Sequence, residues 1–348
     1  MTPTQSPPKP DAGSPPPLNS SGRPPAARAV VKVLSVPSSG RNKWILPAVL
    51  TIAMFVVIYL RNPSVLNYSG ISLLLAASLP VCFATVAQMF VTAAGDLDIA
   101  IGSFMGLVTV ITVVVMPNHV FLGVLALIGL VCGYIATGLV VLFRRVPAIV
   151  ATLGMSFVWL GVGLALLPVP GGVVPSGIVK AINLSPPLIP ETVLILVVLA
   201  VVVEYGMMHT RYGAVLRGVG SNPEAVRSAG WSIPIAKAVL YGLAGIFGVL
   251  AGLALSGEAT SGDPNLGSSY LFLSIAGVVI GGGGFTGGDI APAGAVLGGL
   301  SMSLLTPLLA ITNVSSTYQD AVEGVLLVLI LLVKSASTWI SSLESNDA

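Results

Sequence analysis

Charge is what this sequence lacks most. Asp, Glu, Lys and Arg together make up 8% of its 348 residues, where a soluble domain carries roughly 25%. So few charges cannot solvate a surface of this size in water. Histidine is nearly missing too, with His119 and His209 far apart in the chain. Cysteine is limited to Cys82 and Cys132, both inside apolar runs. They read as small packing residues, with no disulfide and no metal site to expect. There is no Cys-x-x-Cys, no nucleophile elbow and no phosphate loop ending in Gly-Lys-Ser/Thr. The Gly281–Gly284 run is not followed by that triplet. These absences remove the usual catalytic sets and ATP hydrolysis of the phosphate-loop kind. Nothing in the pattern points to nucleic acid.

What is there is apolar. Hydrophobic residues reach 55% and the mean hydropathy is +0.97. Lipid is the solvent such a chain fits. Glycine is high at 40 residues. Between membrane helices, glycine lets backbones approach closely, and that packing drives association. A helix needs roughly 20 apolar residues to cross the hydrocarbon. Runs of that kind lie near 44–60, 71–93, 99–116, 120–143, 147–167, 191–208, 235–256, 270–285, 290–311 and 318–336. The expectation is an all-α, polytopic bundle of about ten transmembrane helices, with broken or re-entrant segments near 95–102 and 281–289.

Residues 1–43 differ from the rest. They are rich in Pro and Ser, as in Ser14-Pro15-Pro16-Pro17 and Arg23-Pro24-Pro25. They lack both the apolar content to form a core and the apolar stretch of a signal peptide. A disordered cytoplasmic tail is expected there, then a membrane domain over 44–338 and a short cytoplasmic tail over 339–348. The basic residues support an orientation. With the N-terminus inside and the spans alternating, 13 of the 15 Lys and Arg residues fall on the cytoplasmic side. Only Arg61 and Lys180 fall outside. That is the bias of a multi-pass membrane protein with both termini in the cytoplasm.

Two segments interrupt the apolar pattern. One is Gly95-Asp96-Leu97-Asp98-Ile99-Ala100-Ile101-Gly102, the other runs from Gly281 through Phe285 to Asp289. Both combine glycine with acid. Acids at such positions face a cavity, a partner or an aqueous edge. Asp98 is also placed to cap the helix that follows it. Gln88, Asp98, Ser103 and Thr152 are the polar residues in apolar surroundings that could line a solute path; interhelical hydrogen bonding is the commoner use of such groups. Asp98 and Asp289 could instead serve as proton or cation sites in an ion-coupled transporter.

The longest loop with basic character covers 209–235. Within it, Asn222 is a good N-cap, Pro223 suits the first helical position and Glu224 complements the helix dipole. Gly230 is a natural C′ residue. A helix of about two turns is expected at Pro223–Ala229. Ala225, Val226 and Ala229 could pack into a partner's groove, with Arg217 and Arg227 close by for ion pairs.

Here a family resemblance becomes specific. Thr210-Arg211-Tyr212-Gly213 and Gly220-Ser221-Asn222-Pro223-Glu224-Ala225-Val226-Arg227-Ser228-Ala229-Gly230 resemble the coupling-helix region of ABC importer permeases. The likeness is to the ribose, galactose, xylose and autoinducer-2 permease family. That family's Gly-Ile-Asp-Leu-Ser-Val-Gly-Ser element resembles the segment from Asp98 to Ser103, with Ala100 replacing the Ser that precedes Val. Its Val-Pro-x-Phe-Ile-x-Thr-Leu-Gly-Met element resembles Val146–Met155, and its Ala-x-Val-Ile-Gly-Gly element resembles Ala276–Gly282. The resemblance runs from about 45 to 335, with the motifs in order. It implies a permease subunit that forms a path for a small polar solute, a monosaccharide or related polyol. It implies coupling to the ATPase through Asn222, Pro223, Glu224, Ala225, Arg227 and Gly230. It implies a second permease subunit, cytoplasmic ATP-binding subunits that hold ATP and magnesium, and a periplasmic or lipid-anchored solute-binding protein. This subunit itself would then be no enzyme and need no cofactor.

Overall fold

The computed structural model describes residues 43–182 and 190–312, with scattered helical positions between Tyr318 and Val328. The expected tails and most of the expected span at 318–336 lie outside the described residues. Among the described residues the architecture is helical, with one isolated bridge between Gly171 and Gly262.

The helices are α1 Ile45–Arg61, α2 Tyr68–Ala76, α3 Ser78–Ala93, α4 Ile101–Val114, α5 Val120–Arg144, α6 Ala148–Leu166 and α7 Ser176–Ile182. Then come α8 Glu191–Glu204, α9 Arg211–Ser221, α10 Pro223–Ser228, α11 Ile233–Ala259, α12 Tyr270–Ile280, α13 Pro292–Ser303 and α14 Leu305–Ile311. A π-helical turn at Tyr205–His209 extends α8.

α3 is the axis of the bundle. Every one of its residues except Phe83 is buried, and it packs against α11, α12 and α13. α4 is buried almost as fully and lies between α6 and α11. α5, α6 and α8 form the outer layer. They turn Phe121, Leu125, Phe157 and Val201 outward, as helices facing lipid do.

Glycine sets the closest contacts, as the composition suggests. α12 and α13 cross through two Gly-x-x-x-Gly pairs, Gly277 with Gly281 and Gly294 with Gly298. A Cβ on Gly298 would lie 2.0 Å from the Gly277 carbonyl oxygen, and one on Gly281 would lie 2.5 Å from that of Gly294. Backbone touches backbone, so no side chain fits between the helices.

The expected ten spans are not all seen as long helices: among the described residues, five helices are long and apolar enough to cross a membrane, or six if the bent pair α2–α3 counts as one span. α4 has 14 residues and α12 has 11. At 1.5 Å rise per residue they reach only about 21 and 16 Å, short of a bilayer core of about 30 Å. Hydropathy had carried both apolar runs across the segments where the helix breaks. The two expected broken segments lie beside these two short helices: 94–100 precedes α4, and 281–291 follows α12.

Candidate functional site

The two breaks, distant in sequence, meet at one end of the bundle. Gly288 N–H donates to the Ala93 carbonyl at 3.0 Å, tying the second break to the C-terminus of α3. Gly287 and Gly288 both have positive φ, +75° and +67°, a conformation glycine adopts without strain. Gly220, near the end of α9, sits against both. A Cβ there would lie 2.2 Å from the Ala93 carbonyl oxygen and 2.8 Å from the Gly287 Cα and the Gly288 nitrogen. Basic residues gather here as well. Lys43 pairs with Asp289, Lys237 pairs with Asp96, and Arg145 lines the same cleft as Asp96. The cleft holds about 550 Å³ and is also bordered by Gly95, Leu97, Pro147 and Phe285.

An unwound segment in a membrane protein needs partners for its backbone groups. In the first break, side chains supply them. Asp98 is fully buried. One of its carboxylate oxygens accepts from Ala100 N–H at 2.7 Å and the other accepts from the Tyr134 hydroxyl. In the amide orientation that satisfies both groups, Gln88 donates to the Asp98 carbonyl and accepts from the Asp98 N–H, each at 3.2 Å. Thr152 Oγ1 accepts from Ile99 N–H at 3.1 Å. Its own proton faces the Ala148 carbonyl at 2.9 Å and the Leu97 carbonyl at 3.3 Å. Three of the four path candidates, Gln88, Asp98 and Thr152, are thus brought together as the scaffold of the break. All three are buried. Ser103 stands half-buried in the first turn of α4. The capping expectation for Asp98 is not met: α4 begins at Ile101, two residues later than the sequence suggested, with Ala100 at its N-cap and no side-chain cap bond, and the Asp98 carboxylate instead closes a turn onto Ala100 N–H ahead of the helix.

Asp96 is held from α11. Its Oδ2 accepts from Lys237 Nζ at 2.7 Å and from the Tyr241 hydroxyl at 2.9 Å. Both acids that an ion-coupled transporter could use have partners here: Asp98 accepts from two donors, and Asp289 is paired with Lys43.

The exposed helix is α10. Asn222 Oδ1 accepts from Ala225 N–H at 3.0 Å, and Pro223 opens the helix. Gly230 at φ +83° ends it. Gly230 N–H donates to the Arg227 carbonyl at 2.9 Å and Trp231 N–H to the Val226 carbonyl at 3.2 Å, the paired bonds of a Schellman motif. Pro223, Glu224, Ala225, Arg227 and Ala229 are exposed. Val226 is not available to a partner: it is buried in this chain's own core, against Gly218 of α9. An apolar residue on a short helix can serve either face, and here the internal one takes it.

Sequence reasoning missed α9, the Gly220 contact, and the roles of Tyr134, Lys237 and Tyr241. Lys237 alone left a signal, as a lysine in the first turns of an otherwise apolar helix. Trp159 packs edge-on to Phe104 at 5.7 Å.

Apolar helices packed around two unwound segments that meet at one end, with a short capped helix exposed beside them, define an all-α polytopic membrane protein. Comparison with known proteins makes this specific. Residues 67–331 match the family described as branched-chain amino acid transport system / permease component, and the chain belongs to that family. It is similar to the ribose import permease protein RbsC of Escherichia coli (strain K12), at 27% identity over 83% of this chain and 94% of that protein. It is similar to the autoinducer 2 import system permease protein LsrD of Enterobacter sp. (strain 638), at 28% identity over 83% of this chain and 90% of that one. LsrD of Photorhabdus laumondii is 29% identical over the same shares. No solved structure matches the chain.

Proposed function

We propose that this chain is the membrane-spanning permease subunit of an ATP-driven importer for a small polar solute, a monosaccharide or related polyol. The observation that carries the reading is α10: a helix capped at both ends, exposing Glu224 and Ala225 at the end where both breaks meet. Cytoplasmic ATP-binding subunits, which hold ATP and magnesium, dock there. Asn222 and Gly230 fix the helix; Glu224, Ala225 and Arg227 make the contact. The basic end of the bundle therefore faces the cytoplasm of a bacterial inner membrane, with both termini on that side. A second permease subunit completes the path, and a periplasmic or lipid-anchored binding protein delivers the solute. The names of the relatives, ribose and autoinducer 2 permeases, support this solute class. ATP biases the path because it binds the two facings differently.

The test is the double substitution Glu224→Arg with Ala225→Trp. Neither residue is buried, so the protein still inserts and folds. Copurification of the ATP-binding subunits and uptake of labelled ribose, or of whichever sugar a thermal-shift screen of the cognate binding protein identifies, are both expected to fall to background. Undiminished copurification and uptake would remove the main support for an ATP-coupled importer.

A further inference from the structure

The connection from α10 to the rest of the bundle has little slack. On its leading side Gly220, near the end of α9, is in backbone contact with Ala93, Gly287 and Gly288. On its trailing side the Schellman turn passes directly into α11, and Trp231 is held edge-on to Tyr212 of α9 at 5.7 Å. Lys237 is the fifth residue of α11. Its side chain reaches Asp96 in the first break, while Tyr241, one turn further on, grips the same carboxylate oxygen. Lys237 Nζ also lies 5.9 Å from the centre of the Tyr241 ring. Both flanks of α10 therefore end on the segment 93–100.

The Lys237–Asp96 pair is hard to explain as a stability device. The side chains are only 9% and 12% exposed. At such burial the cost of desolvating two charges offsets much of their attraction, and apolar replacements of the pair are often no less stable. The pair does make a directional, charged link between the start of α11 and the break, beside the neutral one from Tyr241. On the other side of Asp96 is the open cleft bordered by Gly95, Leu97 and Pro147, which gives the break room to shift.

We propose that Lys237 and Asp96 are positioning residues that carry displacement of α10 into the break before α4, so that docking and ATP binding at one end alter the packing of α4 against α6 and α11. This rests on the reading of α10 as the docking helix. The two are separable by experiment.

A reporter, Leu97→Cys, is placed in the break of a protein whose Cys82 and Cys132 are replaced by Ala. The whole complex with its ATP-binding subunits is reconstituted in nanodiscs, and labelling by a water-soluble maleimide is timed with and without ATP and vanadate. With the native pair, the labelling rate is expected to change by about 5-fold or more, the lower end of usual coupling between sites. Lys237→Met is expected to abolish that change while ATP hydrolysis persists. Asp96→Asn combined with Lys237→Met leaves no unpaired charge to unfold the site, and it is expected to lose the response equally. Lys237→Arg keeps a cation against Asp96 and is expected to retain it. A full response in the double variant overturns the proposal. So does loss of the response in Lys237→Arg, which would assign the effect to packing. If Glu224→Arg with Ala225→Trp leaves ATPase docking intact, the docking reading fails instead.

Discussion

Replacing Gly220 by Ala adds one carbon, and the structure fixes where it goes. That Cβ would lie 2.2 Å from the Ala93 carbonyl oxygen and 2.8 Å from two backbone atoms of the second break. None of these atoms can rotate away, as a side-chain tip could. Restoring ordinary contact at 3.4 Å requires α9 to move about 1.2 Å from Ala93. Such overpacking costs about 1–3 kcal/mol. The movement also strains the Gly288–Ala93 hydrogen bond, worth about 0.5–1.5 kcal/mol net. Against these stands the gain of up to about 1 kcal/mol from replacing a helical Gly with Ala. The net expectation is a loss of about 2 kcal/mol.

The control is Gly154→Ala in α6, where the added Cβ meets nothing within 4 Å. It makes the same chemical change, keeps the propensity gain and creates no clash. Thermal unfolding in nanodiscs is expected to place Gly220→Ala about 3 °C below the native protein, with Gly154→Ala at or above it. Equal melting of the two variants would refute the argument that backbone contact at Gly220 joins α9 to the breaks.

Two further substitutions probe the site's supports. Thr152→Val keeps the shape but leaves Ile99 N–H and the Leu97 carbonyl without their hydroxyl partner; a loss of about 1–3 kcal/mol is expected, read as a lower midpoint in chemical or thermal unfolding. Asn222→Ala removes the acceptor for Ala225 N–H, an effect of about 1 kcal/mol, and faster amide exchange confined to residues 223–230 is the expected signature.

Much of this arrangement is readable in the sequence, and the rest is hidden for physical reasons. The scarcity of charge requires lipid, and the caps of α10 follow from Asn222, Pro223 and Gly230, because capping depends on neighbours within a few residues. The breaks show themselves by pairing glycine with acid. Where those breaks meet depends on contacts across most of the chain. Gly220 looks like any loop glycine until Ala93 and Gly287 are seen against it. Lys237 counts in the sequence as one more cytoplasmic cation; its partner Asp96 lies in a different segment, and no local pattern joins them. Val226 fails differently. Its apolar character was plain, but the side of the helix with a free surface was not.

The brevity of α10 is itself informative. An isolated helix of six residues is far below the roughly 12–15 needed for marginal stability in water. It persists because it is held at every other point. Asn222 closes its N-terminus, the Gly230 turn closes its C-terminus, Val226 anchors its inner face and the Tyr212–Trp231 contact braces its exit. What is left free is the outer face with Glu224, Ala225 and Arg227. A recognition helix that only had to bind could tolerate slack in its mount. One that must transmit movement cannot, because displacement would be lost in bending before it reached the bundle. The stiffness of this mount, and its ending on Gly220 at one flank and Lys237 at the other, is what a transmitting element requires.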